Sequence, residues 1–134
     1  MTDLLGRLQE LNRTAAFNRW AGFEVVRAAE GEVALRLPWR DELGQYAGNL
    51  HAGLVSAMVD TACGFAAFTV CGRVLATHCA VTYLAPGRGP AFVATARTVR
   101  TGRRQVFTSA EVHDHRDAGP VLIAQGQTLL VPPA

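Results

Sequence analysis

The chain has 134 residues, 49% of them hydrophobic and 18% charged, which supports one domain and argues against a disordered chain. Thirteen basic residues against eleven acidic ones give a net charge of +2, too balanced to point to nucleic acid. All thirteen are arginine, so a lysine nucleophile or Schiff base is excluded, and arginine is the only permanent cation available to grip a phosphate.

In chain order, Leu4, Leu5, Leu8, Leu11, Ala15 and Ala16 recur at helical spacing. They predict one helix over residues 3–19, with Thr2 or Asp3 as its cap. This polar, amphipathic start lacks the basic run and apolar core of a signal peptide, and a cytoplasmic protein is expected. Cys63, Cys71 and Cys79 form no CxxC pair and are expected to be buried free thiols in a reducing compartment. Residues 23–28 and 32–37 read as two strands joined by the Ala-Glu-Gly-Glu turn at 29–32, and Pro38 ends the second. A polar, glycine-bearing loop follows over 39–49.

Residues 50–69 are apolar nearly all round and predict a helix buried on most sides. The segment is long enough to cross a membrane, but His51 and the mid-segment Asp60 argue against a span. Strands are predicted at 74–84, 91–100, 105–113 and 121–131. Pro86–Pro90 form a turn, and 114–120 is read as a polar turn. Val106, Thr108, Ala110 and Val112 alternate onto one strand face. Helix, two strands, buried helix, four strands is the pattern of an α+β protein with an antiparallel sheet.

Asp60 is the first chemical signal. A carboxylate inside an apolar helix needs a partner, a water or a proton. In a pocket it can activate water or attack a carbonyl; a bond to a backbone group or to the Thr61 hydroxyl is the structural alternative. The second signal is the helix start at 49–53, whose first amides have no intrahelical partner and suit a developing oxyanion. Asn49 is the expected cap. Asp60 lies nine residues after His51. On one helix that sets them on roughly opposite faces and about 13–14 Å apart along the axis. If both act on one substrate, two chains must contribute, and a homodimer is expected; otherwise the two residues have unrelated tasks.

His113, Asp114, His115 and Asp117 cluster, but without a third-ligand pattern elsewhere no metal is expected. No GxSxG elbow surrounds Ser56 or Ser109, and Cys63 reads as core. The absence of phosphate-loop and dinucleotide fingerprints argues against ATP and NAD.

Gly48-Asn49-Leu50-His51-Ala52-Gly53, followed by Val59-Asp60-Thr61-Ala62, resembles the signature of hotdog-fold thioesterases, and most of all the PaaI-like acyl-CoA thioesterases. Thr82-Tyr83-Leu84-Ala85-Pro86 and the turn Thr101-Gly102-Arg103 extend the resemblance, which runs from about residue 20 to 131. It implies a hotdog fold, a sheet wrapped around a long central helix, in a single domain over 1–134 with an N-terminal helix (1–20) before the core (21–131). It also implies hydrolysis of an acyl-CoA thioester by Asp60, as base or nucleophile. Ala52, where the family usually has glycine, would polarise the carbonyl through its amide. His51 would orient the loop or the carbonyl, or act as base.

Gln45, six residues before His51, would hold the water or the carbonyl, and Asn49 and Gly53 would lie against the substrate. The family's water-positioning hydroxyl maps to Ala76, and Thr77 could serve only after a one-residue shift. Arg88, Arg103 and Arg104 are candidates for the coenzyme A phosphates. Phe65, Phe68, Tyr46 and Trp39 are candidates for the pocket of an aromatic or medium to long acyl group. Coenzyme A would be part of the substrate, with no separate cofactor. The assembly would be a homodimer, often paired into a tetramer, with no nucleic-acid or membrane partner. A non-catalytic acyl-CoA-binding hotdog domain and a hotdog hydratase or dehydratase are the alternatives.

Overall fold

The computed structural model describes residues 3–133. Its N-terminal part is two helices, α1 (Leu4–Thr14) and α2 (Ala16–Ala21), where the periodicity predicts one. The break falls at Ala15, in extended backbone (φ −92°, ψ 118°). The Thr14 hydroxyl donates to Leu11 O at 2.7 Å, competing with the helical bond expected there. The bend lets the Asn18 side chain donate to Asn12 Oδ1 (3.0 Å), while Asn12 donates to Phe23 O (2.8 Å) and docks the helices on the sheet. Asp3 holds the cap position of α1 but accepts no capping bond through its side chain, and Thr2 lies outside the described residues.

The strands are β1 (Glu24–Ala29), β2 (Glu32–Pro38), β3 (Leu75–Tyr83), β4 (Ala91–Thr101), β5 (Val106–Arg116) and β6 (Gly119–Val131). All pairings are antiparallel and the spatial order is β1-β2-β4-β5-β6-β3, so β1 and β3 are the edges. Gly31, at φ +78°, permits the tight turn between β1 and β2. The polar turn expected at 114–120 shrinks to Asp117 and Ala118, because Asp114 continues the inward-facing row of β5 and finds its hydrogen bonds inside. His113 and His115 therefore sit in a strand rather than a turn.

Between β2 and β3 come a short 3-10 turn (Asp41–Leu43) and the long helix α3 (Ala52–Cys71), across which the sheet curls. Val55, Met58, Val59, Ala62, Cys63 and Ala66 face Leu35, Phe92, Ala94, Ala110, Val112 and Ala124 in one continuous core. The small residues on the sheet let the helix come close. At Gly126 an added Cβ would stand 2.7 Å from Ala80 O and 2.9 Å from Val59 Cγ1.

The expectation that α3 is buried on most sides is corrected: only one face is covered. Ala52, Gly53 and Asp60 are exposed, and Ala57, Thr61, Gly64 and Phe68 are half-covered. A single sheet wraps only half of a helix. The thiols follow the same division, with Cys63 buried under the sheet while Cys71, at the helix end, and Cys79, on the edge strand, are exposed.

Candidate active site

The start of α3 is built by a loop that spends nearly all its amides on itself. Gln45 Oε1 accepts from Ala47 N (2.6 Å) and Asn49 N (3.2 Å), and Gln45 N donates to Asn49 O (2.8 Å). Gln45 thus shapes the turn with its side-chain oxygen and keeps only its NH2 for a ligand. Leu50 N donates to Gly87 O (3.0 Å) while its side chain enters the core, so the chain cannot become helical before His51.

The cap is therefore His51 and not Asn49: His51 Nδ1 accepts from Gly53 N at 2.8 Å. Sequence reasoning missed this because histidine is an uncommon cap. With Nδ1 accepting, the neutral ring carries its proton on Nε2, which is then a donor.

This arrangement decides which amide is available. Leu54 N and Val55 N both donate to His51 O (2.9 and 3.2 Å), and Gly53 N is held by the imidazole. Gly53, expected to touch substrate, has no amide to offer. Ala52 N alone in this turn has no partner among the described residues, at the positive end of a 20-residue helix.

Asp60 stands on the uncovered face of α3, in the wall of a groove of about 500 Å³ that Thr61, Gly64, Phe65, Phe68 and Leu75 also line. Burial against these groups raises its pKa above the ordinary carboxylate value. Cys63, one turn on, is no nucleophile: burial pushes its thiol up to about 11. Ala76 lies on the groove wall. Thr77 occupies the bulge of β3, and its hydroxyl donates to Leu129 O (3.3 Å).

Within one chain Ala52 and Asp60 are eight residues apart on the helix, about 12 Å along its axis, and the fold does not bring them together. A larger depression of about 590 Å³ lies on the outer face of the sheet, between Arg27, Arg97, Glu111 and Gln125, and shares no residue with this site.

The expected arginines are dispersed. Arg88 sits in the loop pinned to the α3 start through Gly87 O, whereas Arg103 and Arg104 lie beyond the other end of the 11-residue β4. Of the four aromatic candidates, Phe65 and Phe68 line the groove. Tyr46 is fully exposed and Trp39 packs edge-on against Phe92. Arg73, on the groove wall, was not anticipated, since nothing in its local sequence marks it. Asp114 is withdrawn from any metal role: it is fully buried and accepts from Arg88 N, Gly89 N and Arg116 Nε.

Comparison with known proteins gives a consistent family. The thioesterase superfamily profile matches residues 47–120. A Halobacterium salinarum protein with a provisional esterase description is 32% identical over 117 residues, covering 79% of this chain and 77% of that protein. The crystal structure of a thioesterase family protein from Silicibacter pomeroyi superposes with a TM-score of 0.91 at 29% identity, covering 96% and 97% of the two chains. The PaaI protein of the Escherichia coli phenylacetic acid degradation operon shares the fold, with a TM-score of 0.86 at 16% identity over 98% and 97% of the chains.

Proposed function

Because the chain belongs to the thioesterase superfamily, we propose that it hydrolyses acyl-CoA thioesters, with water, to a carboxylate and free coenzyme A. The observations that carry this reading are two groups on one helix: an amide, Ala52 N, and a carboxylate, Asp60, neither of which has a hydrogen-bond partner among the described residues. The amide receives the carbonyl oxygen as it gains negative charge. Asp60 takes the proton of the attacking water, or attacks the carbonyl itself to form an anhydride that water then opens. His51 donates from Nε2, and Gln45 from its amide, toward the same carbonyl or water. The sulfur leaves as thiolate. No metal or redox group is needed for these steps.

The site is completed by a second copy of the chain, whose α3 lies against the first so that its Asp60 meets the first copy's Ala52. Support comes from the uncovered face of α3 near its start, where Gly53 and Ala57 allow close approach outside the Asp60 groove, and from the exposed edge strand β3. Pairs of such dimers can form tetramers. Arg88 of one copy and Arg103 and Arg104 of the other, at opposite ends of β4 in each chain, would then converge on one coenzyme A. The free cysteines favour a reducing, cytoplasmic setting.

Thiol release from a panel of acyl-CoA esters tests the activity, with Asp60→Asn beside the wild type. Unchanged hydrolysis by Asp60→Asn overturns the role of Asp60. Coexpression of Asp60→Asn with Ala52→Pro tests the shared site. Hybrid dimers would carry one intact site, restoring up to about a quarter of wild-type activity. Two inactive variants that stay inactive together would place the site within one chain.

A further inference from the structure

The groove beside Asp60 differs from end to end: it carries opposite charges at its two ends and mostly apolar walls between them. Asp60 marks one end, Phe65, Phe68 and Leu75 form apolar walls, and Arg73 stands on the wall where the chain leaves α3. From Asp60 to Phe68 is eight residues, about 12 Å along the helix, and Arg73 follows beyond. The ion pairs among the described residues engage Arg13, Arg36, Arg40 and Arg116, and Arg73 belongs to none of them. Asn18 shares its wall, but the Asn18 amide donates to Asn12 Oδ1. Arg73 is therefore an exposed, uncommitted guanidinium facing an apolar channel that begins at the reacting carboxylate.

Resting on the thioesterase reading above, we propose that Arg73 recognises a carboxylate at the far end of the acyl group, so that the groove selects ω-carboxyacyl thioesters over plain acyl thioesters of equal length. The apolar walls suit a methylene chain and not the amides and hydroxyl of a pantetheine arm. Asp60 repels an acyl carboxylate from its own end, which fixes the direction in which the chain enters. The planar fork of arginine pairs with a carboxylate through two parallel bonds, and the aromatic walls reduce competition from water.

Steady-state kinetics with decanedioyl-CoA and decanoyl-CoA, for wild type and Arg73→Gln, test this. The expected result is a KM for the dicarboxylic ester about tenfold higher in Arg73→Gln, with kcat unchanged and decanoyl-CoA unaffected. Arg73→Lys should recover part of the loss. Arg73 is exposed, so an unchanged melting temperature excludes misfolding. Equal losses on both esters, absent with the corresponding acyl-pantetheines, would assign Arg73 to a coenzyme A phosphate and overturn the proposal. So would no change at all. If the wild type hydrolyses neither of these nor any other ester of the panel, the thioesterase reading fails by itself. Calorimetric binding of the two non-hydrolysable thioether analogues then decides for Arg73: selective weakening of the dicarboxylic analogue in Arg73→Gln supports it, and equal binding overturns it.

Discussion

Asp114, where β5 meets the 86–90 loop, is fully buried and accepts N–H bonds from Arg88, Gly89 and Arg116. Asp60, halfway along the open face of α3, has only desolvation acting on it and no donor among the described residues. The fully buried carboxylate is thus the one with its hydrogen bonds made. Burial alone does not mark a reactive group; partial desolvation on an open groove wall, with no donor beside it, is the better signal. One region closes every bond and holds the loop that supports the α3 start. The other leaves a carboxylate, a groove and half a helix unfinished.

The contrast predicts that the two residues fail differently. Asp60→Asn should lower kcat by about 10³-fold, read by thiol release, while the protein still folds. Asp114→Ala should cost about 3 kcal/mol of stability, read by denaturant melts, because it leaves the Arg88 and Gly89 amides without their acceptor, empties a fully buried site and reduces Arg116 to its bond with Pro86 O. Any loss of activity in Asp114→Ala should track unfolding. Folded but inactive Asp114→Ala would give that corner a direct part in the chemistry and erase the distinction.

Most of the fold was legible in the sequence because it is written in local periodicity. Strand alternation at Val106, Thr108, Ala110 and Val112 and the apolar run of α3 both led to elements that exist. The misreadings came where side chains redirect the backbone. Asn12, Thr14 and Asn18 break the first helix, and Asp114 extends a strand through residues that look like a turn. In the site, the type and spacing of Ala52 and Asp60 were readable, but the capping role of His51 was not. It depends on Leu50 being drawn into the core, a tertiary fact. Arg73 was invisible for the same reason, since only the fold sets it on the Asp60 groove.

A milder intervention addresses the open end of the helix alone. Ala52→Pro removes the N–H that, in the first turn of α3, has no partner among the described residues, yet proline is favoured at the first position of a helix. The preceding residue must be extended, and His51 already is, at φ −61° and ψ 134°. The variant should keep its melting temperature and lose about 10²-fold in kcat. Full activity would show that the carbonyl is polarised elsewhere, and that the free amide is as silent as those around Asp114.

The smallest effects are those of protons, and they test whether Asp60 is uncompensated in the working protein. Its pKa is raised from 3.8 by desolvation, so the folded chain holds that proton more tightly than the unfolded one. Between the unfolded and folded values the native state binds more protons, and stability therefore falls as pH rises through that window. Asp60→Asn removes the penalty. It should melt slightly above wild type at neutral pH, with the difference vanishing below the ordinary carboxylate range. The ascending limb of kcat/KM against pH should likewise lie above that range, since the role proposed for Asp60 uses its ionised form. A lower melting temperature for Asp60→Asn at neutral pH would mean that a donor from the second copy already satisfies the carboxylate at rest. Asp60 would then resemble Asp114, and its reactivity would have to arise on substrate binding, when that donor is displaced.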